Sequence, residues 1–160
     1  MTEIERIVQQ LKASFAGGAW HGPAVLEVLK DVDATTAAAR PIPGAHSIWV
    51  LAVHLAATQA VILRRIRGEA AGLTDNEFWE HMSAPTTDNW KILIQRLTRQ
   101  QKELETAVAA FPVERLDERL IPAKENSAYE NFHGVIQHNA YHAGQIALLK
   151  KAARAGGKSA

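Results

Sequence analysis

The sequence predicts an all-α protein built as a four-helix bundle, and three observations support this fold class. No segment of the 160 residues shows the apolar–polar alternation of a strand between turn residues. Four long segments repeat apolar residues at the three- and four-residue spacing of a helix. Glycine and proline stand between these segments, where they end helices. Such helices bury their apolar faces by packing on one another, which is the architecture of a bundle.

The first long helix and two short helices are defined by residues that cap or break helices. Thr2 begins a capping-box pattern, so we expect the first helix to start there and to end at Gly17. Pro23 suits the first turn of a short helix. Asp33 can cap a further helical turn, because its carboxylate can accept a hydrogen bond from a free backbone N–H group.

The other three long helices follow in order, separated by two long connections. The second is expected over residues 47–67, the third over 87–110 and the last over 127–154. Segments 69–86 and 112–126 contain proline, serine and asparagine without a helical stripe, which is typical of irregular connections. These long connections leave both an up-down-down-up order and a simple up-and-down order open.

Composition predicts one domain over residues 1–155, followed by a flexible tail over 156–160. Apolar residues make up 47% of the chain and charged residues 22%, which excludes an intrinsically disordered protein. There is no cysteine, so disulfides, thiolate metal ligands and a cysteine nucleophile are excluded. The formal net charge of +1 gives no support for direct nucleic-acid binding.

No membrane segment is expected. The most apolar run, residues 48–63, contains His54 and is shorter than the roughly 20 residues of a spanning helix. The first residues alternate charged and apolar side chains, whereas a signal peptide needs a continuous apolar stretch of about 7–15 residues. We therefore expect a buried core helix and a cytoplasmic protein.

Histidine is the residue type that carries candidate chemistry. His138 and His142 are four residues apart, so they lie one turn apart on the same face of the last helix. Two imidazoles in this arrangement can chelate one metal ion, although the bare pattern is also common in structural histidines. Asn139 stands where a helical zinc protease has its catalytic glutamate, so the protease interpretation fails.

His54 on the second long helix can complete this site. Bundles build metal sites from inward-facing side chains on facing helices, and a buried imidazole needs partners for its nitrogens. The alternative is a core histidine bonded to a carbonyl or hydroxyl group. Three histidine ligands leave a position open for water or substrate, which is typical of a catalytic metal. Such ligands suit zinc, nickel, copper or iron.

Three further residues are candidates for the pocket around the histidines. Gln145 follows His138 by seven residues and can orient a ligand by a hydrogen bond. His46 precedes the second long helix and can line the mouth of a pocket, although a surface or capping role is also open. Tyr141 is a pocket candidate as well. Aromatic core packing is the safer interpretation for Trp20, Trp49, Phe132 and Tyr141. We expect the remaining histidines, His21, His81 and His133, to lie away from the site.

Three segments together resemble the DinB-like (DinB/YfiT) superfamily of bacterial metal-binding bundles. AWHGPAVLEVL (19–29) resembles the end of that family's first helix, and PIPGAHSIWVLAVHL (41–55) resembles the start of its second. HNAYHAGQIALLKK (138–151) resembles its last-helix signature. The resemblance implies an up-down-down-up bundle, often a homodimer, with a divalent metal such as zinc, nickel or iron on the three histidines.

The resemblance also implies an activity. Some relatives resemble thiol-dependent transferases and isomerases that use a low-molecular-weight thiol such as bacillithiol or mycothiol, which suggests a thiol S-transferase acting on an electrophilic small molecule, or a related hydrolase. Because the chain has no cysteine, such a thiol has to arrive as a substrate. The alternative is a noncatalytic metal-binding stress-response module.

Overall fold

The structure is a computed structural model that describes residues 1–72, 84–122 and 124–156. Within these ranges the chain is helical, without strands apart from one isolated bridge between Arg119 and Ser127. The α-helices are α1 (Glu3–Ala16), α2 (Val25–Leu29), α3 (Ala34–Ala38), α4 (Ile48–Ile66), α5 (Thr87–Ala109) and α6 (Ala128–Gly156), and a 3-10 helix spans Val113–Arg115. The predicted all-α class is confirmed.

Local hydrogen bonds explain where the helices start. The Thr2 hydroxyl accepts from the Glu5 backbone N–H, and the Glu5 carboxylate accepts from the Thr2 N–H, which completes the predicted capping box. The Asp33 carboxylate caps α3 by accepting from the Thr36 N–H at 2.7 Å. The side chain of Ser47 caps α4 in the same way. These helix starts agree with the sequence prediction to within one residue.

Helices α4 and α5 lie side by side and run in the same direction. Near the start of both helices, the ring centroids of Trp49 and Trp90 are 5.2 Å apart. Further along, the Gln59 side-chain nitrogen donates to Gln101 Oε1 at 2.8 Å. The first turns of the two helices are therefore in contact with each other, and so are their later turns, which shows that the helices are parallel.

Helices α4 and α6 run in opposite directions. Arg65, near the end of α4, donates to the side chain of Asn131, near the start of α6, at 3.1 Å. His54, in the first half of α4, lies against His138, in the middle of α6. These directions are those that an up-down-down-up order requires, while the complete order stays a prediction.

Two apolar clusters fill the interior of the protein, and a polar layer lies between them along every long helix. The first cluster contains Phe15 of α1, Leu51 of α4 and Leu97 of α5, while the second contains Leu11 of α1 and Leu104 of α5. The polar layer consists of Ser14, Gln59, Gln101 and Asn139, one from each long helix and all buried. The interior is thus apolar at both ends and polar in the middle.

Core packing was predicted for four aromatic residues, and two of them are buried while two are exposed. Trp49 and Phe132 are buried, as predicted. The core prediction was wrong for Trp20, which is fully exposed (102%) because it lies in a turn outside the helices. It was also wrong for Tyr141, which is 64% exposed because it lies one position off the buried histidine face of α6.

Helix α4 is long and apolar enough to cross a membrane by length and composition alone. This differs from the sequence prediction, because the helix continues past the apolar run to Ile66. However, 78% of its most apolar window is buried inside the protein, as expected for the core helix of a soluble protein. No other helix of the described ranges meets the same criteria.

Candidate metal centre

The structure brings His54, His138 and His142 together. The Nε2 atoms of His54 and His138 are 2.8 Å apart, and those of His142 and His138 are 3.0 Å apart. One ring nitrogen from each residue lies within 4.8 Å of the other two. Three imidazoles from two helices thus point their nitrogens at one small volume.

The helix arrangement explains this convergence. His138 and His142 are one turn apart on α6, so both rings leave the helix on the same side. His54 reaches them from the antiparallel helix α4 and is only 2% exposed. His142 is buried as well, at 5% exposure. The site is therefore largely shielded from water by the bundle itself.

A hydrogen bond fixes the orientation of the His142 ring. Its Nδ1 donates to Oε1 of Gln145, which lies about one turn further along α6, at 2.6 Å. With the proton on Nδ1, the Nε2 atom of the neutral ring carries a lone pair. That lone pair faces the His138 nitrogen. Gln145 therefore presents His142 in the form that can bind a metal ion.

Burial favours the neutral form of His138 and His142. The pKa of His138 is lowered to about 3, first by burial and then by the neighbouring rings of His142 and His54. Burial also lowers the pKa of His142, whereas the hydrogen bond to Gln145 raises it and His46 lowers it. Since a metal competes with protons for the same nitrogens, the neutral state favours metal binding near neutral pH.

The donor set fits a metal ion with three protein ligands. Tetrahedral zinc–nitrogen bonds of about 2.0–2.1 Å place neighbouring ligand nitrogens about 3.3–3.4 Å apart. The separations of 2.8 and 3.0 Å around His138 are a few tenths of an ångström shorter than this. The two pairs of nitrogens around His138 would therefore have to move apart by this amount on metal binding. Three ligands leave room for an exogenous one.

The other predicted pocket residues also lie near the site. His46 is exposed and precedes α4, and it lines a cavity of about 320 Å³ together with Gln145. The ring of Tyr141 lies 5.0 Å from that of His142, with its outer face in solvent.

Of the histidines expected elsewhere, His133 packs on Tyr129 and His21 is exposed, whereas His81 lies outside the described residues.

Sequence reasoning did not find the apolar walls of this cavity. They come from the loop before α4, from Leu51 of α4 and from Leu148 and Leu149 of α6. Part of the signal is in the sequence, because Leu148 and Leu149 follow Gln145 at the spacing of one helix face. The contribution of the loop depends on how it folds over α6.

One comparison with known proteins gives a match. A family model described as the DinB superfamily matches residues 19–146. This is more than half of the chain and includes all three histidines of the site. No curated protein and no solved structure is significantly similar to the chain. The chain belongs to the DinB superfamily.

Proposed function

We propose that this DinB-superfamily protein binds one divalent metal ion through His54, His138 and His142, and that it transfers a low-molecular-weight thiol to an electrophilic small molecule. The observation that carries the proposal is the convergence of imidazole nitrogens from three histidines in a largely buried site. Zinc, nickel and iron are the metals that we propose, since imidazole ligation suits each of them.

The donor set supports a catalytic role because three ligands leave an open position. A bound metal ion supplies acidity, since a thiol or water molecule on it loses its proton near neutral pH. In the proposed reaction with a haloalkane, the thiol proton goes to solvent, a carbon–sulfur bond forms, and the carbon–halogen bond breaks with loss of halide. The side chains hold and orient the ligands, and the buried helices keep bulk water away.

A first experiment tests metal binding. We expect purified protein to contain about one metal ion per chain, as in other three-histidine centres. His138→Ala should lose this metal because it removes the central ligand, whereas His21→Ala, on an exposed turn, should retain it. Elemental analysis of the three proteins measures the effect. Absence of metal from the unmodified protein, or equal loading of all three, would overturn the proposal.

A second experiment tests catalysis. Thiol consumption is followed with a haloalkane or an epoxide, before and after chelation, and chelation should abolish the enzymatic rate. Equal rates in both conditions would argue against metal catalysis. A noncatalytic metal-binding module instead predicts no turnover and a melting temperature that falls with chelation, because a structural metal is coupled to folding.

Three further proposals concern the assembly, the location and the partners of the protein. We expect a homodimer in the cytoplasm without direct nucleic-acid binding, the last because the net charge is only +1. Sedimentation as a 17.5 kDa species at micromolar concentration would contradict the dimer.

A further inference from the structure

The cavity beside the histidines is a built pocket with walls from three parts of the chain. Its volume of about 320 Å³ lies at the small end of the range for ligand pockets, roughly 300–1,000 Å³. The residues that line it are Ile42, Gly44, Ala45, His46, Leu51, Gln145, Leu148 and Leu149. The loop before α4, α4 itself and α6 therefore all contribute to it.

The walls of the cavity carry no formally charged side chain. Its two polar groups are His46 and Gln145, and the rest of the lining is aliphatic or glycine. The nearest lysine along α6, Lys150, is engaged elsewhere because its Nζ donates to the Val28 carbonyl at 3.0 Å. A ligand with a fixed charge would lose hydration in this cavity without gaining an ionic partner.

The cavity is directly connected to the histidine site. Gln145 lines the cavity and accepts the 2.6 Å hydrogen bond from His142. His46 lies on another part of the wall. A molecule in the cavity therefore lies one side chain away from a candidate metal ligand.

We infer that this cavity binds the apolar part of a neutral organic molecule and, on the function proposed above, that this molecule is the electrophile rather than the thiol. A thiol rich in hydroxyl and carboxylate groups would leave most of them unpaired against aliphatic walls. The electrophile needs only an apolar body and one reactive carbon. The side chain of Gln145 lies on the side of the cavity that faces the histidines, because it bonds to His142.

The first test compares three naphthalene probes of similar size: 2-naphthalenemethanol, 2-naphthoate and 2-naphthylmethylammonium. Titration calorimetry on the full chain should show binding of the neutral alcohol at one site. The anion and the cation should bind about tenfold more weakly or not at all, since each must give up hydration without a partner. Equal affinity for the three probes, or no binding of the alcohol, would overturn the inference.

Substitutions at the rim of the cavity test where the probe binds. Leu148 lines the cavity and is 64% exposed, so Leu148→Glu and Leu148→Lys should still fold. Each should weaken binding of the alcohol about fivefold through lost apolar contact. Leu148→Lys should also improve the relative affinity of the anion, and Leu148→Glu that of the cation. Ile92→Glu is the matched control, because Ile92 is similarly exposed (60%) on α5 and does not line the cavity.

The outcomes separate this inference from the proposed function. Calorimetry is run before and after chelation and needs no turnover. Metal binding without alcohol binding would refute the cavity assignment alone, whereas alcohol binding without any metal would refute the metal proposal alone. If Leu148→Glu and Ile92→Glu have the same effect, the probe binds elsewhere and the inference fails.

Discussion

Gln145 holds His142 in its metal-binding form, and removing its side-chain oxygen tests this arrangement most directly. Gln145→Leu keeps a similar volume and eliminates the 2.6 Å hydrogen bond to Nδ1 of His142. The ring of His142 then loses the interaction that places its proton on Nδ1 and its lone pair on Nε2. We expect the chain to fold normally and to bind metal more weakly.

The expected loss of metal affinity follows from the position of this hydrogen bond, on the ring nitrogen of His142 that does not face the metal site. Hydrogen bonds to the outer nitrogen of a histidine ligand typically change metal affinity by about 10–100-fold, or about 1.4–2.7 kcal/mol. His142 is 5% exposed, so little water is available to replace the lost partner. A loss of about 30-fold, in the middle of the range, is therefore expected for Gln145→Leu.

Competition with a chromophoric chelator measures the affinity of each variant for zinc. Gln137→Leu is the matched control, because it makes the same substitution at an exposed position of α6, one residue before His138. A change of less than twofold in Gln145→Leu would refute the proposed orientation of His142. An equal loss in both variants would show that the effect comes from the helix rather than from the hydrogen bond.

Two more predictions concern stability. Gln101→Leu should lower the free energy of unfolding by about 1–3 kcal/mol, because it leaves Gln59 buried without its partner, and adding Gln59→Leu should restore part of the loss in urea unfolding. If the double variant is the less stable one, the two amides do not act as a pair. The hydrogen bonds from Thr36 lower the pKa of Asp33 below 3.8, so this cap stabilises the protein above the unfolded-state pKa and loses its effect as the pH falls through the lower, folded value. Asp33→Ala should therefore cost about 0.5 kcal/mol at pH 7, the low end for a solvated cap, and less below pH 3.8, whereas an undiminished cost in acid would contradict the role of the carboxylate.

Local features of the sequence predicted the parts of the fold that depend on neighbours along the chain. The capping pattern at Thr2 and the capping residue Asp33 correspond to observed hydrogen bonds. The four-residue spacing of His138 and His142 placed both rings on one face for the same reason. These features require only helical geometry, which is the same in every protein.

Features that depend on distant contacts were harder to predict. The pairing of His54 with α6 rested on the general architecture of bundles and on the family resemblance. The aromatic character of Trp20 and Tyr141 suggested burial, but Trp20 lies in a turn and Tyr141 on a face of α6 that no other described helix covers, so both are exposed. The cavity was missed for a similar reason, since its walls include a loop whose path the sequence pattern does not specify.

The polar layer has a consequence for the distances within the histidine site. Its side chains connect α4 to α5 (Gln59 to Gln101), α5 to α1 (Gln101 to the Leu11 carbonyl) and α6 to α1 (Asn139 to Ser14), at fixed heights along the bundle. If a helix slid by one turn, about 5.4 Å, its polar residue would enter an apolar cluster. Metal–ligand distances tolerate only about 0.2 Å. The polar layer thus opposes sliding of the helices along their axes and keeps His54 at the same height as His138 and His142 on α6.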